Sequence, residues 1–178
     1  MPSVVFTARN GTYEEFLSVY DPATQDVTKL LFKASAHRNA VDRAKIMHRL
    51  LDDGADPSAE DEFGSTLLGV LEVEHDPAAD GRLLERLIAD GANVNALGRK
   101  GDRPIDLVRR MSGVKDEDRT PYYKVLFEAD GLDLDLPENS RDPEGPTYRE
   151  SFTDSEEKDR FPVMHRYFSE WERQHPPV

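Results

Sequence analysis

The sequence predicts an all-α fold: a helical repeat solenoid of paired antiparallel helices, followed by a C-terminal helical tail rich in aromatic residues. Three observations predict it. First, Leu50-Leu51-Asp52-Asp53-Gly54-Ala55-Asp56-Pro57-Ser58-Ala59 aligns without gaps with Leu87-Ile88-Ala89-Asp90-Gly91-Ala92-Asn93-Val94-Asn95-Ala96, 37 residues later. A fixed period of this size marks a repeat architecture. Second, a separate landmark, Gly64-Ser65-Thr66-Leu67-Leu68, returns as Gly101-Asp102-Arg103-Pro104-Ile105 at the same 37-residue spacing. Third, the apolar residues ahead of each glycine fall at helical spacing: Ile46, Met47, Leu50 and Leu51, then Leu83, Leu84, Leu87 and Ile88.

The elements follow in order. Thr12 caps a helix running to Tyr20, Glu15 completes a capping box three residues on, and Asp21-Pro22 stops it. This reads as the outer helix of a partial first repeat that acts as a cap. Leu30, Phe32 and Ala34 supply the first helix of the next unit, after Asp26-Val27-Thr28-Lys29-Leu30, a degenerate form of the second landmark. Leu67, Leu68 and Leu71, then Ile105, Leu107 and Val108, supply its counterparts, with Pro104 in a first turn where its missing N–H is harmless. Gly54, Gly91 and Gly131 end the second helices where the backbone turns left-handed. The third copy, Leu126 to Asp135, is looser, with Gly131 placed 40 residues after Gly91. The extra length of each unit falls in 37–42, 74–80 and 112–120, which read as enlarged loops between paired helices. One such unit cannot bury its apolar face alone, so about three must stack.

The chain therefore divides into a repeat array with its cap helix over 1–136, a breaker-rich linker over 137–146, and a tail over 147–178. The tail holds Tyr148, Phe152, Phe161, Tyr167, Phe168 and Trp171, and Met164, Tyr167, Phe168 and Trp171 share one helical face. The tail is expected to fold back and cap the last repeat. The other reading makes Tyr167, Phe168 and Trp171 an anchor for a partner or a second copy.

Gly54-Ala55-Asp56 and Gly91-Ala92-Asn93-Val94-Asn95 resemble the turn that follows the second helix of ankyrin repeats. The other hallmark of that family, Gly-x-Thr-Pro-Leu-His, is eroded: Thr28 and Thr66 keep the Thr, Pro104 keeps the Pro, and Leu31, Gly69 and Asp106 stand at the His position. The period also exceeds the usual figure of about 33. The resemblance covers about residues 25–136. It implies paired helices joined by turns, a protein-binding role, and partners held against the turn tips and the exposed side of the first helices.

Composition removes several other classes. The 178 residues carry 23 Lys+Arg against 36 Asp+Glu, a net charge of −13, and no cysteine. No run approaches the roughly 20 apolar residues of a membrane helix, and Met1 to Phe6 lacks the basic stretch of a secretory signal. A cytoplasmic protein is expected. Without cysteine there is no disulfide, thiol nucleophile or thiolate metal site. The acidic balance argues against direct nucleic-acid binding and for a partner with a basic surface. His37, His48, His75, His165 and His175 fall in no ligand spacing, and no phosphate loop or nucleophile elbow occurs. The acid-rich run Asp52, Asp53, Asp56, Glu60, Asp61 and Glu62 lacks the alternating acids and central glycine of a calcium loop. No metal, cofactor or catalytic residue is expected.

Carried over by position, the family's binding surface gives Glu60, Asp61, Glu62 and Phe63 at one tip, and Leu97, Arg99, Lys100 and Asp102 at the next. Glu72, Asp106, Arg109 and Arg110 are the first-helix candidates. Phe63 stands out as an aromatic among three acids in an expected exposed turn. The expected function is a non-enzymatic protein-binding module. A narrower form is an acidic inhibitor or immunity-type protein for a basic toxin or nuclease. The alternative is a homo-oligomeric scaffold assembled through the aromatic tail.

Overall fold

The computed structural model describes residues 2–61, 67–98 and 100–177, with Leu67 described by its backbone alone. The described residues form ten α-helices and no strand; one isolated bridge joins Pro137 to Thr147. The helices are α1 (Val4–Asn10), α2 (Tyr13–Leu17), α3 (Val27–Ser35), α4 (Ala40–Asp52), α5 (Pro77–Ala89), α6 (Pro104–Arg109), α7 (Thr120–Phe127), α8 (Tyr148–Thr153), α9 (Ser155–Arg160) and α10 (Pro162–Gln174). Short 3-10 turns cover Leu67–Glu72 and Glu117–Arg119.

The helices stack in two rows. In the first, α1 packs on α3, α3 on the Leu67–Glu72 turn, and that turn on α6. In the second, α2 packs on α4, α4 on α5, α5 on α7, and α7 on α10. One apolar core runs between the rows, from Phe16 through Leu31, Ile46, Met47, Leu83, Leu87 and Leu126 to Phe168. Burial of this shared core is what holds such short helices, since helices this brief are marginal alone.

Local chemistry sets the helix ends. Thr12 and Glu15 form the capping box of α2, and Thr147 with Glu150 forms that of α8. Asp26, Asn39 and Asp76 cap α3, α4 and α5 by accepting from backbone N–H groups of the first turn. Gly54, Gly91 and Gly131 have φ of 92°, 120° and 85°. After the first two, the chain folds back so that Ala55 N donates to Leu50 O at 3.0 Å and Ala92 N to Leu87 O at 2.9 Å, which satisfies carbonyls the helix leaves open.

Four features differ from expectation. The first helix pair is whole, because α1 precedes α2 and Ser3 caps it. The expected loops 37–42 and 74–80 are about half helix: Ala40–Asp42 and Pro77–Asp80 are the first turns of α4 and α5, made possible by the Asn39 and Asp76 caps. Leu67–Glu72 is a 3-10 turn rather than an α-helix; Gly69 in its middle lowers helix propensity. The breaker-rich linker over 137–146 carries specific long-range bonds that composition did not signal. Glu138 N donates to Pro146 O at 2.9 Å, and Ser140 Oγ donates to Gly101 O at 3.0 Å, so the segment is clamped against the turn before α6.

Polar side chains cross the junctions between helix pairs. His37 Nε2 lies 2.8 Å from Gly11 O. Arg43, fully buried, donates to His37 O, Glu74 O and Asp80, the last at 2.6 Å. Asp80, also fully buried, accepts from Tyr122 Oη at 3.0 Å as well. Within the α6–α7 unit, Arg119 donates to the carbonyls of Arg109, Met111 and Val114. The tail packs its aromatic face on α7: Tyr167 stacks on Phe127 with centroids 6.2 Å apart, and Val163 N donates to Asp116. Arg149 lies 4.7 Å from the Trp171 ring centroid and pairs with Asp135.

Candidate functional site

Two clefts open beside the starts of first-row helices. One is built by α3 and the turn that follows α4. Its lining is Asp26, Thr28, Lys29, Phe32, Lys33, Ala59, Glu60 and Asp61, around about 510 Å³. Thr28 fixes the turn to the helix, because its Oγ1 accepts from Asp56 N at 3.0 Å. Asp56 in turn accepts from Ser58 N and Oγ, which holds its carboxyl below the usual carboxylate range. Half-buried Phe32 and Ala59 give the cleft an apolar floor. Lys29 and Lys33, one helical turn apart, line the helix wall, and Glu60 and Asp61 line the turn wall. Lys29 is paired with Asp26 at 3.3 Å. Lys33 and Glu60 have no ion pair among the described residues. The cleft thus offers an apolar floor between a cationic and an anionic wall.

The second cleft, of about 390 Å³, lies between Lys100–Asp102 and the loop before α8. Its charged lining is Lys100, Asp102, Arg110, Glu138 and Arg141, with Gly101 and Ser140 between the walls. Gly101 is required there: its φ is 85°, and a Cβ would come within 2.6 Å of Ser140 Oγ.

Behind this cleft, α6 carries a set of ionised groups that are structural. Asp106 is 1% exposed and accepts from Tyr148 Oη at 2.5 Å and Arg103 N at 2.9 Å. Burial pushes its carboxyl above the usual range, against those hydrogen bonds. Arg109 reaches Glu138 at 2.6 Å and Glu157 at 2.7 Å, with its guanidinium 5.1 Å from the Phe152 ring centroid. Burial opposes the charge on Glu138, but hydrogen bonds from Ser151 and Arg109 outweigh it and hold the carboxyl low. Arg109 therefore ties α6 to the 137–147 loop and to α9.

The expected partner-binding residues separate on this geometry. Glu60, Glu72, Leu97, Lys100 and Arg110 are exposed, and Asp61 is half-buried. Asp102 pairs with Arg110 at 2.5 Å. Asp106 and Arg109, expected to face a partner, are instead committed inside the chain, because Tyr148, Glu138 and Glu157 arrive from the distant tail and loop to engage them. Glu62, Phe63 and Arg99 lie outside the described residues. Of the three expected tail anchors, Phe168 and Trp171 are 1% and 4% exposed, and Tyr167 is half-buried against Phe127.

Lys29, Phe32 and Lys33 were not among the expected partner-binding residues, although their unit carries a degenerate form of the landmark that marks the other two. Asn139, Ser140 and Arg141 had no local signal. Among the described residues no cluster of three or more His, Asp or Glu is disposed to hold a metal ion, and no helix is long and apolar enough to cross a membrane.

No family model matches the chain, and no curated protein matches it. The fold is similar to the crystal structure of a functionally unknown protein from Leptotrichia buccalis, with a TM-score of 0.73 and 22% identity over 99% of this chain and 96% of that one. At that identity the likeness establishes a shared all-helical fold.

Proposed function

We propose that this chain is a non-enzymatic, ankyrin-type repeat solenoid that binds another protein through its turn tips and first-row helices. The observation that carries the reading is the cleft between α3 and the Ala59–Asp61 turn. It joins a half-buried aromatic floor to two charges, Lys33 and Glu60, that the fold leaves without an ion pair among the described residues. Interfaces concentrate their binding energy in apolar anchors ringed by polar groups of this kind. Elsewhere several buried ions serve packing: Arg43, Asp80 and Asp106 are hydrogen-bonded across helix junctions, and Arg119 braces the segment between α6 and α7.

The net charge of −13 favours a partner with a basic surface, because opposite fields speed encounter and suppress wrong partners. An inhibitor of a basic toxin or nuclease in the cytoplasm is the narrower form of this proposal. The test is capture from the native source with the full chain, with Lys33→Glu and Glu60→Lys variants run alongside. The expected result is one dominant basic protein that is lost with the charge reversals and weakens as salt rises, by screening. Capture unchanged by both reversals would overturn the assignment of the surface. Capture that is indifferent to salt would overturn the basic partner.

A further inference from the structure

We propose that the chain carries a second recognition surface of opposite sign: the cleft between Lys100–Asp102 and the Pro137–Thr147 loop receives the carboxylates of an acidic segment on a partner protein. The proposal rests on the protein-binding reading but uses a different face.

The cleft is assembled by long-range contacts. Gly98 N donates to Asp102 O and Gly101 N to Gly98 O, both at 2.8 Å, which holds Gly101 and Asp102 against Gly98. Ser140 Oγ locks the loop onto Gly101 O. The guanidinium of Arg141 then lies 3.5 Å from Lys100 O, so the loop's cation and the turn's cation share one lip. Both side chains are exposed, and neither makes an ion pair among the described residues.

The acids in the lining are already neutralised from within. Asp102 is held by Arg110 at 2.5 Å, and Glu138 by Arg109 at 2.6 Å. The uncommitted charge of the lining is therefore positive, in a chain whose net charge is −13; Asp142 and Glu144 of the same loop lie outside the lining.

An independent observation adds to it. Arg103, next in the chain after the turn, is 8% exposed, yet its Nε and Nη1 have no hydrogen-bond partner among the described residues. Arg103 does not itself line the cleft, but its charge, one residue from Asp102, adds to the positive potential behind it. The long-range field of the acidic chain does not cancel this, because it is screened over about 8 Å at physiological salt.

The arrangement favours carboxylates on an extended segment over a single free anion. The cations sit along an open lip rather than converging on one point. Arg141 offers a planar fork that matches a carboxylate, and Lys100 a point charge beside it.

The test is an NMR titration of the full chain at physiological salt with an acetylated, amidated peptide of alternating Glu and Gly. A Gln–Gly peptide and inorganic phosphate are run in parallel. The Glu peptide is expected to shift the backbone signals of Lys100, Gly101, Ser140 and Arg141, and the Gln peptide to leave them in place. Lys100→Ala with Arg141→Ala is expected to weaken the Glu peptide roughly tenfold, as for two rim ion pairs, with an unchanged helical spectrum. Lys33→Glu is expected to leave it unaffected. Equal shifts with the Gln peptide, an unweakened double variant, or shifts mapping elsewhere would each overturn the proposal. Phosphate shifting the same signals at lower concentration than the peptide would also overturn it, in favour of a free anion. If the peptide fails while partner capture is still lost with Lys33→Glu, this surface falls and the protein-binding reading stands.

Discussion

Asp80 shows how much one residue carries. Its carboxylate is fully buried and takes hydrogen bonds from Arg43, Tyr122 and Asp76 N, so it joins three successive units. Removing one member of a buried ion pair leaves the other charge unpaired, at a cost of about 3–5 kcal/mol. Arg43→Leu is therefore expected to lower the unfolding free energy by that amount in urea titration. Adding Asp80→Leu is expected to recover part of the loss, because the unpaired charge goes with it; a double variant as unstable as the sum of the singles would contradict this account. None of this pairing was legible in the sequence. Arg43 and Asp80 stand 37 residues apart, one repeat period, yet neither carries a local signal of burial, and Asp80 falls in a stretch expected to be loop. Asp106 and Arg109 were misplaced for the same reason, since the tyrosine and carboxylates that bury them lie 29–48 residues on. What a residue shows locally, such as the Thr12–Glu15 box or the left-handed Gly54, was legible in full.

The elements meet at close quarters where α5 crosses α7. A Cβ on Gly81 would lie 2.8 Å from Pro121 Cβ, and the proline ring has little freedom to yield. Gly81→Ala gains about 1 kcal/mol of helix propensity, but overpacking costs about 1–3 kcal/mol. The net expectation is a loss of up to about 2 kcal/mol, read as a lower denaturation midpoint; a more stable variant would show that the helices can part without penalty. The existence of α4 and α5 was legible from apolar spacing and terminal glycines, and their true starts were signalled by Asn39 and Asp76. The seven residues of α1 escaped notice because they are too few to establish a period. The clamp over 137–147 escaped because its signal is composition, whereas its structure comes from Ser140 meeting a turn 39 residues earlier.

At the scale of the molecule, acidity should weaken the fold in two separate stages. Burial foremost lowers the pKa of His48, His75 and His165 from the ordinary value of 6.5. The folded chain therefore binds fewer protons than the unfolded chain below that value, so stability is full above about pH 6.5 and falls as the pH drops through it. Asp53 and Asp135 are held low by hydrogen bonds from Arg49 and Arg149. Their contribution persists above the ordinary carboxylate range and is lost only as the pH falls further, toward their lowered values. The urea midpoint is expected to decline between pH 7 and 5, and His75→Gln to flatten part of that decline; an identical slope in the variant would remove His75 from the account. The junction bonds also give the molecule a mechanical grain. The α1–α2 pair is held to its neighbour by hydrogen bonds from His37, Tyr13 and Tyr20, whereas the next junction carries the buried ion pair of Arg43 and Asp80. Under tension applied between its two ends in an optical trap, the chain should shed that first hairpin as a small early extension. The remainder should then rupture as one block, behaving less like a zipper than like a riveted plate.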